Sequence, residues 1–155
     1  MATALTHALA AMAAYAGLAV TLGQPAVAPG LLAAGILAMV VDFNEREDHS
    51  YHSPLGHSVM LMAIAFAASW ALLPATGWDP TVAPQAPLAV LTGLGTHLAI
   101  DVFSVGGVYI WPSRNPEGPR WRPVRYRLRF GDHDPLYNLC AVAPSVVVLV
   151  AALAL

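Results

Sequence analysis

The sequence predicts an all-α membrane protein: a polytopic bundle of about five transmembrane helices forming a single membrane-embedded domain over residues 1–155. Three observations predict it. Apolar residues make up 57% of the chain and charged residues only 10%, too little polar surface to cover the core of a soluble protein of this length. The apolar residues gather into five runs almost free of charge, which reads as helices in hydrocarbon. The histidines and carboxylates gather at the ends of those runs, where an ionisable group is costly and marks function.

The first run, Ala4–Leu22, has nearly the roughly 20 residues a span requires. It differs from a secretory signal peptide, since His7 stands where a basic region belongs and no clear cleavage site follows. Gly23-Gln24-Pro25 and Pro29-Gly30 mark a tight connection to the second run, Ala28–Val41. The third, Val59–Pro74, ends at a proline and gives way to a Pro-rich loop with Trp78 as an interfacial aromatic. Runs two and three are shorter than a full span, so they borrow flanking residues or sit in a thinned bundle with a polar mouth. The fourth run is Leu88–Ile110 and the fifth Leu136–Leu155.

Between the last two runs lies Ser113–Phe130, the longest polar stretch. It opens with a turn at Asn115-Pro116-Glu117-Gly118-Pro119 and then alternates through Arg120-Trp121-Arg122 and Arg125-Tyr126-Arg127-Leu128-Arg129-Phe130. Period-two alternation predicts a short strand or hairpin at the interface. Its arginines suit anionic headgroups of membrane lipid or, alternatively, a substrate phosphate; nucleic acid is not an expected partner.

Every basic side chain is arginine, and the distribution orients the bundle. Arg46 lies between runs two and three and the other six lie between runs four and five, while loops 23–27 and 75–87 have none. With five spans, the N-terminus and both arginine-bearing loops face the cytoplasm of a multi-pass cell-membrane protein. Cys140 is the sole cysteine, which excludes an internal disulfide and a CxxC metal site.

The same topology gathers the polar residues on the cytoplasmic face. His97 and Asp101 are four apart, so on a helix they point in nearly the same direction. Two such groups can grip one ion, or form an internal hydrogen-bonded pair. His52 and His57 flank Ser53-Pro54-Leu55-Gly56, a turn that can aim both imidazoles at one point or leave them at the interface. Asp42 and His7 are either span-ending residues or ligands. Imidazole and carboxylate donors without a thiol suit a divalent metal cofactor, zinc foremost. Glu45, Glu47, Asp48 and His49 follow Asp42 and are candidate catalytic bases, and His133 stands between Asp132 and Asp134 as a marginal or exposed group.

Taken in order, His7, Asp42-Phe43-Asn44, His52-Ser53-Pro54-Leu55-Gly56-His57-Ser58, His97-Leu98-Ala99-Ile100-Asp101, Gly107 and Trp111-Pro112 resemble the YdjM-like family of membrane-bound metal-dependent hydrolases. The resemblance runs from His7 to about Arg114. That family is in turn similar, in the order of its histidines and aspartates, to zinc-dependent phospholipase C and related nucleases, which hold a zinc cluster and hydrolyse phosphodiesters. The resemblance implies metal ligation by His7, Asp42, His52, His57, His97 and Asp101. It departs from the family at Ser53, Pro54 and Gly56, which replace an arginine, a glycine and a threonine of the usual middle motif, at Asn44, where an aspartate is frequent, and at Ser104, where a threonine is. An arginine that could have held a substrate oxyanion is thereby missing, and one from Ser113–Phe130 could substitute.

The expected function is hydrolysis, by a metal-activated water, of a phosphoester or lipid-linked substrate at the cytoplasmic membrane face. The rivals are an ion- or proton-handling transporter and a non-catalytic structural membrane protein.

Overall fold

Five helices carry the chain: α1 (Ala4–Thr21), α2 (Ala28–Val40), α3 (Val59–Thr76), α4 (Gln85–Asp101) and α5 (Pro135–Leu153). A computed structural model describes residues 4–25, 28–44, 56–76, 84–103, 107–111, 120–121 and 135–154. Among the described residues the fold is all-α apart from one ribbon, β1 (Val108–Tyr109) paired antiparallel with β2 (Arg120–Trp121), and a single bridge from Ser58 to Tyr109.

Helix α1 is central and packs on α2, α4 and α5; α2 packs also on α4, and α3 lies against α4. The seam is built of small side chains, with Ala11, Ala16 and Ala19 of α1, Ala34 and Ala38 of α2 and Ala89 of α4 around Tyr15, Leu31 and Leu88. Alanine at a crossing lets backbones approach closely, the usual basis of helix packing where solvent does not drive it. The backbones of α2 and α4 approach closely at Gly93, where a Cβ would lie 2.8 Å from the Ala34 carbonyl oxygen and 2.9 Å from the Leu37 Cβ. Helix α1 ends in a left-handed Gly23 (φ 67°), with the amide of Gln24 bonded to the Ala19 carbonyl at 2.8 Å and that of Gly23 to the Val20 carbonyl at 3.0 Å. This is the two-bond helix ending that favours glycine, and it turns the chain directly into α2.

Two differences from the sequence expectation bear on the site. The fourth apolar run is not one helix to Ile110: α4 starts earlier, at Gln85, and stops at Asp101. Its tail is a left-handed Gly107 (φ 62°) followed by Val108-Tyr109, residues that suit a strand, and they form β1. The short strand or hairpin expected within Ser113–Phe130 is found as a strand at Arg120–Trp121, whose partner is that tail, Val108 opposite Trp121 and Tyr109 opposite Arg120. The Arg125–Phe130 alternation lies outside the described residues.

By length and composition, one described helix, α1, could cross a membrane; Ala28–Val40, Val59–Pro74 and Asn138–Ala152 are apolar but shorter. Much of the outer surface is nevertheless apolar. Leu32 and Ile36 on α2, Ile64 and Leu72 on α3, and Val147 and Val150 on α5 are each more than half exposed, and no described side chain of α3 is fully buried.

Candidate metal centre

The ends of the helices meet at one point. His7 lies in the first turn of α1, and Asp42 in the single 3-10 turn (Val41–Asn44) that follows α2. His57 precedes α3, and His97 and Asp101 lie in the last turns of α4. His7, His57, His97 and Asp101 are fully buried, and the side chain of Asp42 is 16% exposed.

One ligand atom from each of Asp42, His57, His97 and Asp101 lies within 4.8 Å of the others. The Nε2 of His97 is 2.9 Å from Asp101 Oδ2, 3.0 Å from His57 Nε2 and 3.4 Å from Asp42 Oδ1. The Nε2 of His57 is 3.2 Å from Asp101 Oδ2 and 3.6 Å from Asp42 Oδ1. Donors each about 2.1 Å from a common tetrahedral centre are about 3.4 Å from one another, so the separations of 2.9–3.6 Å about His97 and His57 are of the size found within one ligand shell. His7 joins from the other side: its Nε2 is 3.4 Å from Asp101 Oδ1, and its ring stacks on His97 with centroids 4.0 Å apart. Asp101 therefore faces two histidines with one oxygen and a third with the other.

The surrounding backbone fixes these groups. The Nδ1 of His97 donates to the Ala38 carbonyl at 2.6 Å, one of the last carbonyls of α2, which has no partner within its own helix. A proton on Nδ1 leaves the Nε2 lone pair for the cluster, the arrangement typical of a metal-binding histidine whose other nitrogen is held by a carbonyl. His57 is held through its backbone, with the Tyr109 amide donating to its carbonyl at 2.8 Å. Ser58, bridged to Tyr109, precedes the first residue of α3, and its Oγ receives the Leu61 amide at 3.4 Å, as an N-cap does. The short ribbon thus holds a histidine of the site.

Neither ring nitrogen of His7 and not the Oδ1 of Asp42 makes a hydrogen bond among the described residues, although all three atoms are buried. Buried polar atoms are normally satisfied, and these three belong to residues that border the cluster. Three imidazoles and two carboxylates so disposed could hold a divalent ion; taking the charges out of water without one is costly.

Five of the six sequence-predicted ligands, His7, Asp42, His57, His97 and Asp101, are thus brought together. The sixth, His52, lies outside the described residues, as do Glu45, Glu47, Asp48, His49 and His133. Sequence reasoning missed a second buried polar pair, in which the Tyr15 hydroxyl donates to Gln85 Oε1 while Gln85 Nε2 donates to the Pro25 carbonyl at 3.3 Å. A lone glutamine beside Pro84 and Pro87 gives no periodic signal, and only the packing of α1 on α4 reveals its partner. No known protein family, curated protein or solved structure matches this chain.

Proposed function

We propose that the chain is a membrane-bound, metal-dependent hydrolase of phosphoesters. The observation that carries this reading is the gathering of Asp42, His57, His97 and Asp101, whose ligand atoms lie within 4.8 Å of one another, with the buried His7 ring against them. Zinc is the metal we assign, from the nitrogen and oxygen donors and the absence of a thiol among them. The likeness to the YdjM-like hydrolases rests on these same motif residues alone.

A bound divalent ion would lower the pKa of a water to about 7 and supply hydroxide at neutral pH. The residues do the rest. His97, oriented by the Ala38 carbonyl, and Asp101, facing both sides of the cluster, hold the charge in place. His52 would complete the set, and Glu45, Glu47, Asp48 or His49, close behind Asp42 in the chain, would be the group that takes up a proton. In this reading the site belongs to a five-span bundle, which the exposed apolar faces of α2, α3 and α5 support, with its N-terminus in the cytoplasm, which the arginine distribution supports.

The test is elemental analysis of protein purified after zinc-supplemented expression, together with hydrolysis of bis(4-nitrophenyl) phosphate. Wild type should carry at least about one ion per chain and turn over the ester, and His97→Ala and Asp101→Ala should lose both properties. Fewer than about one ion per ten chains in the wild type would remove the basis of the proposal.

A further inference from the structure

Helix α5 contains no histidine, aspartate or glutamate, yet it touches the turn that carries one member of the site. It lies along α1 in the same direction. Thr6 meets Asn138 near the start of the pair, and further along a Cβ on Gly17 would lie 3.3 Å from Val148 Cγ1. The first of these contacts is polar: the Thr6 hydroxyl donates to Asn138 Oδ1 at 2.7 Å. Thr6 is buried and immediately precedes His7. That position matters because His7 is held less firmly than its neighbours. His97 is bonded to the Ala38 carbonyl, and the His57 carbonyl receives the Tyr109 amide. His7 meets the cluster through its stack on His97 and a 3.4 Å approach to Asp101, while its ring nitrogens make no hydrogen bond among the described residues. It also lies in the first turn of α1, where amides lack acceptors within the helix and the end can fray. Successive residues of a helix point about 100° apart, so this one turn presents His7 to α4 and Thr6 to α5.

We infer that Asn138 is a positioning residue: by accepting the Thr6 hydroxyl it fixes the first turn of α1 against α5 and keeps His7 on the metal centre. The inference rests on the metal-centre reading and assigns α5 its part in it. Asp42, His57, His97 and Asp101 gather their ligand atoms without His7, so loss of the tie should detach His7 and leave those four able to take an ion. One side-chain hydrogen bond shifts an equilibrium by up to about tenfold, enough to move a helix end between docked and frayed.

The experiment uses the full chain in detergent micelles and reads His7 in two ways. Without metal, carbethoxylation of His7 by diethyl pyrocarbonate is followed by mass spectrometry. Asn138→Ala and, independently, Thr6→Val should raise the rate at His7 about tenfold. Thr6→Ser keeps the hydroxyl and should stay at the wild-type rate. The double variant Thr6→Val/Asn138→Ala should be no faster than either single one, because both remove the same bond. With cobalt(II) as the probe metal, Asn138→Ala should bind the ion more weakly and give the visible spectrum of His7→Ala. Val148→Ala loosens the same pair of helices away from the site and should leave both readings at their wild-type values. Wild-type rates at His7 in both Asn138→Ala and Thr6→Val, or equal exposure of His7 in Val148→Ala, would overturn the proposal. So would a wild-type cobalt spectrum in Asn138→Ala when that of His7→Ala is altered. Failure of the hydrolase reading is scored separately: a protein that takes up no metal would defeat that reading, and the metal-free carbethoxylation rates would still decide whether Asn138 holds His7 in place.

Discussion

His97 is the residue on which the site turns, because each of its ring nitrogens has a separate partner. One donates to the Ala38 carbonyl and the other faces His57, Asp42 and Asp101. The His97–Asp101 pair was legible in the sequence from its four-residue spacing. The stacking of His7 on His97 was not, since nothing local relates the first turn of α1 to the last of α4. Asp101→Asn keeps the volume of the side chain and removes its charge. We expect metal affinity to fall by at least about tenfold with helical content unchanged, checked by competition with a chromophoric chelator and circular dichroism. The cluster also links metal to stability. Zinc at about a hundred times its Kd should add about 2.7 kcal/mol to the stability of the folded state. The expected readout is a Tm that rises with zinc, falls with EDTA, and no longer responds to either in His97→Ala.

At the scale of elements, the crossing of α2 and α4 sets how far His97 must reach. Gly93 lies one turn before His97 and allows the contact with Ala34 and Leu37. Gly93→Val would push the helices apart, at a cost of about 1–3 kcal/mol for overpacking, and would draw His97 away from Ala38. The expected result is lower thermal stability together with weaker zinc binding, whereas Gly23→Ala, in the distant turn after α1, should cost stability alone. Five helices in nearly their observed places could be read from hydropathy and from the turn signals at Gly23 and Pro84. The end of α4 could not, because Val102-Phe103 continues the apolar pattern past Asp101 and only the left-handed Gly107 and the pairing of Tyr109 reveal the break. The arginine alternation pointed to a strand near Arg120 but not to its partner, which comes from the preceding apolar run.

For the whole molecule, the helix ends that carry the cluster follow one another in alternation: the start of α1, the end of α2, the start of α3 and the end of α4. An up-and-down bundle brings these four ends to one face, which the proposed topology would set on the cytoplasmic side. With Cys140 replaced by Ala, a single cysteine at Gly77 should react with a membrane-impermeant maleimide from outside intact cells; reaction only after lysis would reverse the topology. The arrangement also fixes when the site can come into being during synthesis. No two neighbouring segments contain it: His7 emerges before the other ligands, Asp101 only at the end of α4, and the strand that holds the His57 carbonyl later still. The nascent chain therefore carries His7 unmatched until α4 has been made, and any metal loading would wait for α1 to α4 and the strand after them but not for α5.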